Sequence, residues 1–165
     1  MEQGQATLFV GGPRQWVDRL ELLLTDLAGG YLYCGEDPGA ASTVKLLNNY
    51  LLMAGVAILG EVVAAAEAVG LDSQVLTSYL TSSPLVAPAL KNRLENLMAH
   101  GEHAGWFSTT LGAKDVMLAI KLAGEAGLDW PIARAVADRY QAAIEADLAD
   151  QDIAAVVEVA RRPRS

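Results

Sequence analysis

Along most of this chain the apolar positions recur at the three-and-four spacing of helices, and only the first part carries short β-prone runs. Ala6-Thr7-Leu8-Phe9-Val10 predicts a strand that stops at Gly11-Gly12-Pro13. Trp16, Val17, Leu20, Leu23, Leu24 and Leu27 follow at helical spacing, which predicts one helix opened by Pro13 and closed by Gly29-Gly30. Tyr31-Leu32-Tyr33-Cys34 reads as a second short strand, so the segment has the size and order of one βαβ unit. Two strands do not make a stable sheet alone. The unit is therefore either the edge of a larger sheet or a small β appendage packed on helices.

From Ala40 to Val69 there is no proline, and only Lys45, Glu61 and Glu67 are charged. As one helix this stretch is about 45 Å long. A helix apolar nearly all round must be buried on all sides. A chain this small has difficulty surrounding such a rod, which predicts that a second subunit covers part of it. Ala54, Gly55, Ala57 and Gly60 would allow that close approach. The uncharged run Leu46 to Gly60 is shorter than the ~20 residues a bilayer demands, so the expectation is a core helix and no membrane.

The remaining chain also reads as helices. Gly70 ends the rod, and Asp72 caps a helix carrying Val75, Leu76, Tyr79 and Leu80. Pro84 and Pro88 break the chain before a short amphipathic piece from Ala89 to Met98. A Gly-punctuated loop, His100 to Trp106, precedes a strong helix from about Ser108 to Ala126. Another helix runs from Pro131 to about Leu148, and a last one from Ile153 to Arg161, before a tail over residues 161–165 that is expected to fray. The fold class is mainly α, with a βαβ edge at the N-terminal side.

Composition narrows the function. The chain has 165 residues and a net charge of −8, from 12 basic and 20 acidic side chains. It lacks the basic stripe that phosphate binding needs, so no nucleic acid is expected. The polar start has no basic n-region and does not read as a signal peptide. With one cysteine, Cys34, no internal disulfide forms, and the reducing cytoplasm is the expected compartment. His100 and His103 stand in a glycine-flanked loop without zinc-type spacing, so no metal is expected. No dinucleotide-binding GxGxxG, phosphate-binding GxxxxGK[ST] or nucleophile-bearing GxSxG occurs.

The informative chemistry lies at the start of the rod, Gly39-Ala40-Ala41-Ser42-Thr43-Val44-Lys45-Leu46-Leu47-Asn48-Asn49. On a helix Lys45 and Asn49 are about 40° apart and one turn separated, with Ser42 about 60° from Lys45. An ammonium, a carboxamide and a hydroxyl thus share one face. In apolar surroundings the lysine is expected to be partly desolvated, which favours its neutral form and proton transfer near neutrality. The plainer reading is a lysine that snorkels to water beside asparagines bonding a neighbouring loop. A second candidate is Phe107 to Ala119, where Lys114 and Asp115 lie on a helix whose core face holds Leu111 and Leu118.

These residues resemble the C-terminal part of the β-hydroxyacid dehydrogenases. That group includes 3-hydroxyisobutyrate dehydrogenase, tartronate semialdehyde reductase, glyoxylate/succinic semialdehyde reductases and, more distantly, 6-phosphogluconate dehydrogenase. Four segments carry the likeness in order. They are Thr7 to Gly12, Gly39 to Asn49 as G-x-x-x-x-x-K-x-x-N-N, Glu61 with Gly70-Leu71-Asp72, and Phe107 to Ala119 as F-x-x-x-L-x-x-K-D-x-x-L-A. Pro131 follows where the family commonly has one.

The resemblance implies a multi-helical domain like the C-terminal domain of 6-phosphogluconate dehydrogenase, with a residual βαβ edge. Residues 1–36 would be the end of a Rossmann NAD(P)-binding domain, and residues 37–165 a helical catalytic and dimerisation domain. The implied activity is that of part of an oxidoreductase using NAD or NADP on a small β-hydroxyacid or semialdehyde. Lys45 would be the catalytic proton donor or acceptor. Asn49, with Asn48 and Ser42 beside it, would bind substrate, and Lys114, Phe107 and Asp115 would meet the cofactor. The rest of the dinucleotide-binding half would lie outside this sequence, leaving the chain inactive alone and assembled as a homodimer or higher homo-oligomer. Lysine at position 45 speaks against the related imine reductases. Ala41 departs from the second glycine many members have there. The rival reading is a non-enzymatic helical dimerisation module, either a truncated relic or the partner of a separate Rossmann chain.

Overall fold

The computed structural model describes residues 7–162. Ala6 of the first expected strand and residues 163–165 of the expected frayed tail lie outside them. Backbone proximity divides the chain into two compact units, Met1–Asn48 and Asn49–Ser165.

In the first unit β1 (Leu8–Gly11) pairs in parallel with β2 (Tyr31–Gly35), Leu8 opposite Tyr31 and Phe9 opposite Leu32, with an irregularity between Val10 and Gly11. The Tyr33 hydroxyl donates to the Gly12 carbonyl at 3.0 Å and closes the end of the pair. The connection is two helices where the sequence predicts one: α1 (Arg14–Arg19) and α2 (Glu21–Ala28). The break falls at Leu20, whose backbone (φ −101°, ψ 2°) leaves the helical region. Neither glycine nor proline stands there, so composition does not announce it. Gly29, at φ 68°, ends α2 in the left-handed conformation that glycine adopts without strain.

The long helix α3 (Ala40–Ala68) crosses from the first unit into the second. The second unit adds α4 (Ser73–Ser82), α5 (Pro88–Lys91), α6 (Leu94–Met98), α7 (Thr109–Glu125), α8 (Pro131–Ala143) and α9 (Val156–Ala160). Asp72 caps α4 by accepting from the Gln74 N–H at 2.7 Å. The expected single piece from Ala89 to Met98 is two short helices, because the chain turns at Asn92-Arg93. The helix from Pro131 does not reach Leu148 as an α-helix. After Ala143 it widens to a π turn, Ile144–Leu148, in which Asp147 takes φ 64°. The last helix opens as a 3-10 turn, Ile153–Ala155.

The core of this unit lies along α3. Met53, Val56 and Val63 are fully buried, and they belong to one apolar cluster with Leu97, Val116, Tyr140, Ile153 and Val157. Within this chain, small residues of the rod serve this packing. A side chain at Gly55 would meet Leu90 Cδ1 at 2.6 Å, and one at Gly60 would meet the Val157 Cα at 3.3 Å. Ala57 is buried as well. The rod is also not enclosed on all sides by its own chain, since Leu51, Ile58, Val62 and Val69 form an exposed stripe. By length and hydropathy alone α3 would pass for a membrane span. Its packed face and the glycine contacts with Leu90 and Val157 mark it as a core helix.

Candidate functional site

Where α3 starts is set by a turn against β1. A Cβ on Gly11 would come within 2.7 Å of the Asp37 carbonyl oxygen, so only glycine lets the two segments lie this close. The Asp37 carboxylate accepts from the Gly39 N–H at 2.7 Å, and its carbonyl accepts from the Ala40 N–H at 3.0 Å. The first turns of α3 then present Ser42, Lys45 and Asn48, all exposed. The partial desolvation expected for Lys45 is not seen. That expectation used the apolar sequence after the lysine, but those side chains turn onto the core face from Met53 onward.

Asn49 is half-buried, and its Nδ2 donates to Asp115 Oδ2 at 2.6 Å. The other oxygen of Asp115 lies 3.0 Å from Lys114 Nζ. Asp115 is buried, whereas the Lys114 side chain is 57% exposed. Three of the candidate residues, from two helices, thus form one hydrogen-bonded group with its cation at the surface. Phe107 is buried in the apolar cluster, with Trp106 stacked on it at 5.8 Å between ring centroids.

The segment leading into α7 is fixed from the far end of the chain. Asp152, fully buried, pairs with the Arg93 guanidinium and also accepts from the Ala154 N–H at 3.1 Å. Its own N–H donates to the His103 carbonyl at 2.9 Å, and the Ile153 N–H donates to the Phe107 carbonyl at 2.9 Å. Thr109 donates its N–H to the Gln151 carbonyl at 2.7 Å and its hydroxyl to the Asp152 carbonyl at 3.2 Å. Gly105 passes so close to the Asp152 carboxylate that a Cβ there would collide with Oδ2. Ser108 then caps α7 by accepting from the Leu111 N–H at 3.3 Å.

A further polar group ties α9 down. Arg161 donates to both Glu67 oxygens at 2.7 and 2.8 Å and to Glu158 at 2.6 Å. Buried His103 lies with Nε2 3.0 Å from Glu158 Oε1 and Nδ1 2.9 Å from the Asn96 carbonyl. The Arg161 hydrogen bond holds the Glu67 carboxyl below its usual range. Burial works to raise Glu158, but hydrogen bonds from His103, the Gly101 N–H and Arg161 outweigh it and lower that carboxyl too. Burial pushes the Tyr140 phenol far above its usual range, and its hydroxyl donates to the Met53 carbonyl at 3.3 Å.

Sequence reasoning did not single out Arg93, Asp152, Glu158 or Arg161. Only Asp152, two residues before Ala154, had a local signal, as a helix cap. A cavity of about 670 Å3 opens beside Leu52, Asn92, Arg93, Asn96, Glu102 and Trp106, and none of Lys45, Asn49, Lys114 or Asp115 lines it. Among the described residues, no group of three His, Cys, Asp or Glu side chains is arranged to hold a metal.

The arrangement can hold a polar substrate through an oriented amide and offer an ammonium to a neighbouring group. The glycine-rich loop that cradles phosphates is absent from this sequence.

The chain is similar to known proteins over most of its length. A family model described as NAD-binding of NADP-dependent 3-hydroxyisobutyrate dehydrogenase matches residues 39–160. A probable 3-hydroxyisobutyrate dehydrogenase of Mycobacterium tuberculosis is 30% identical over 163 residues, covering 92% of this chain and 53% of the relative. The 2-(hydroxymethyl)glutarate dehydrogenase of Eubacterium barkeri is 26% identical over 158 residues, covering 96% and 52%. The solved structure of Mycobacterium tuberculosis 3-hydroxyisobutyrate dehydrogenase with L-serine superposes with a TM-score of 0.76 at 28% identity, covering 92% and 54%. The chain spans about half the length of the curated relatives it matches.

Proposed function

The chain belongs to the family described as NAD-binding of NADP-dependent 3-hydroxyisobutyrate dehydrogenase, and we propose that it is the lysine-bearing half of an NAD(P)-dependent hydroxyacid dehydrogenase. The relatives are named for 3-hydroxyisobutyrate, 2-(hydroxymethyl)glutarate, succinic semialdehyde and 3-sulfolactaldehyde. The proposed substrate class is therefore a small β-hydroxyacid or semialdehyde.

In the proposed reaction the alcohol becomes an aldehyde, a hydride leaves its carbon and a proton leaves its oxygen. NAD or NADP, if bound, would supply the hydride acceptor. Lys45 takes the proton from the substrate oxygen on oxidation and returns it on reduction. Asn49 orients the substrate through its amide, with Ser42 and Asn48 on the neighbouring turns. Lys114, in the first turns of α7, would contact the cofactor, and Phe107 and Asp115 belong to the same segment. Residues 1–36 are read as the end of a dinucleotide-binding domain and residues 37–165 as the catalytic and dimerisation part. The exposed stripe of Leu51, Ile58, Val62 and Val69 is read as subunit contact in a cytoplasmic homo-oligomer.

The observation that carries this reading is the Asn49–Asp115–Lys114 group, built from the two segments that bear the family motifs. The test fuses this chain to the dinucleotide-binding half of the Mycobacterium tuberculosis relative and assays it with 3-hydroxyisobutyrate and NAD+ or NADP+. Turnover is expected, and Lys45→Ala should lower it by ~100-fold, the scale of a proton-transfer group. A folded, dinucleotide-binding fusion that is inactive, or one indifferent to Lys45→Ala, overturns the proposal in favour of a non-enzymatic dimerisation module.

A further inference from the structure

We infer that Asp115 does not itself bind the cofactor but is a positioning residue, one that holds the substrate-side amide and the cofactor-side ammonium with its two oxygens. The inference rests on the proposed function and assigns this residue a different part in it. One oxygen, Oδ2, accepts from Asn49 Nδ2 at 2.6 Å, and the other, Oδ1, meets Lys114 Nζ at 3.0 Å. The Asp115 side chain is 10% exposed, so it has little surface left to offer a ligand.

An ionised carboxylate only accepts hydrogen bonds, so the amide of Asn49 must turn its NH2 group toward Asp115. Rotating that amide by half a turn would set its carbonyl oxygen against the carboxylate. The orientation of Asn49 is therefore chosen by Asp115, and its carbonyl oxygen is held away from the carboxylate. Lys114 differs in kind. Its stem is free enough to leave most of the side chain in solvent, while its ammonium is tethered within reach of the same carboxylate. One buried anion thus fixes the direction of one group and the position of another.

Two experiments test this. The first needs no turnover: NMR of the chain labelled with 15N at asparagine side chains. The two Asn49 NH2 protons should be well separated in shift, one of them displaced by donation to the carboxylate, and Asp115→Ala should collapse that separation. Lys114→Met should leave it in place. Asn49 NH2 shifts unchanged by Asp115→Ala overturn the inference.

The second uses the fused enzyme. Asn49→Ala should raise the KM for the hydroxyacid alone, and Lys114→Met the KM for the dinucleotide alone. Asp115→Asn should raise both, each by about tenfold, the scale of a lost charge-assisted hydrogen bond, while kcat falls less. A purely structural role would lower the amount of folded enzyme without this split. An Asp115→Asn effect on the dinucleotide alone would return Asp115 to direct cofactor contact. If the unmutated fusion does not turn over, the parent reading fails, while the NMR result still decides whether Asp115 directs Asn49.

Discussion

Two carboxylates of the helical unit, Asp152 and Asp115, each pair with a basic side chain, from another part of the sequence in the first case and from the preceding residue in the second, and they are built for opposite ends. Asp152 is sealed: its partner Arg93 is itself buried, and a backbone N–H and a passing glycine fill the rest of its surroundings. Asp115 is buried, but its partner Lys114 stands largely in solvent. A pair closed on both sides holds the chain together. A pair closed on one side fixes a group that still reaches outward. Exposure of the cation, rather than the presence of an ion pair, separates the two.

The sharpest way to break this comparison is to remove each partner in turn. Asp152→Ala leaves the Arg93 charge buried without a partner and removes the cap on Ala154. Breaking a buried pair in this way costs about 3–5 kcal/mol. Urea unfolding should show a loss of that order, with the segment from His103 to Thr109 losing amide protection against exchange. A loss below about 1 kcal/mol would mean that the pair is not a closed structural element.

The sequence reveals one side of this comparison better than the other. The rod from Ala40 and the helix after Ser108 follow from uninterrupted apolar spacing, and the mainly helical fold with a parallel βαβ edge is the one observed. Their motifs marked Lys45, Asn49, Lys114 and Asp115 as candidates. Periodicity is a local signal, however, and the bond joining Asn49 to Asp115 spans 66 positions. The Arg93–Asp152 pair spans 59 and carries no motif at all. The same limit applies to the glycines. Gly55 and Gly60 advertise close approach, but whether Leu90, Val157 or another subunit approaches is not written in their neighbourhood. The break at Leu20 and the exposure of Lys45 likewise depend on the three-dimensional surroundings.

Acid should affect the α9 clamp next. Glu67 and Glu158 are both held below the ordinary carboxylate value of 4.5 in the folded chain. Groups whose folded pKa is depressed contribute stability that is complete above the unfolded value and is lost as pH falls through the folded one. The groups facing them are Arg161, just after α9, and His100 and His103 from the loop after α6. Stability should therefore be level with respect to these two carboxylates near neutrality and fall as pH drops below about 4.5, by the linkage rule. Replacing both Glu67 and Glu158 with glutamine should flatten that acid limb in a series of melts. An acid limb unchanged in the double variant would show that the clamp contributes nothing to it.

The smallest effect belongs to Lys114→Met, and it is the one that tests the comparison from the functional side. With more than half of the lysine side chain in solvent, water already screens its attraction to Asp115. Removing the charge should change folding stability by no more than about 0.5 kcal/mol. Asp115 keeps the Asn49 hydrogen bond in this variant, so its burial is not left without a donor. In the fused enzyme the same substitution should weaken dinucleotide binding by a measurable factor at unchanged melting temperature. A closed pair cannot behave in this way, because any change that disturbs its chemistry also disturbs the fold. If Lys114→Met costs as much stability as Asp152→Ala, Asp115 is a second structural lock, and the outward-facing half of the comparison loses its basis.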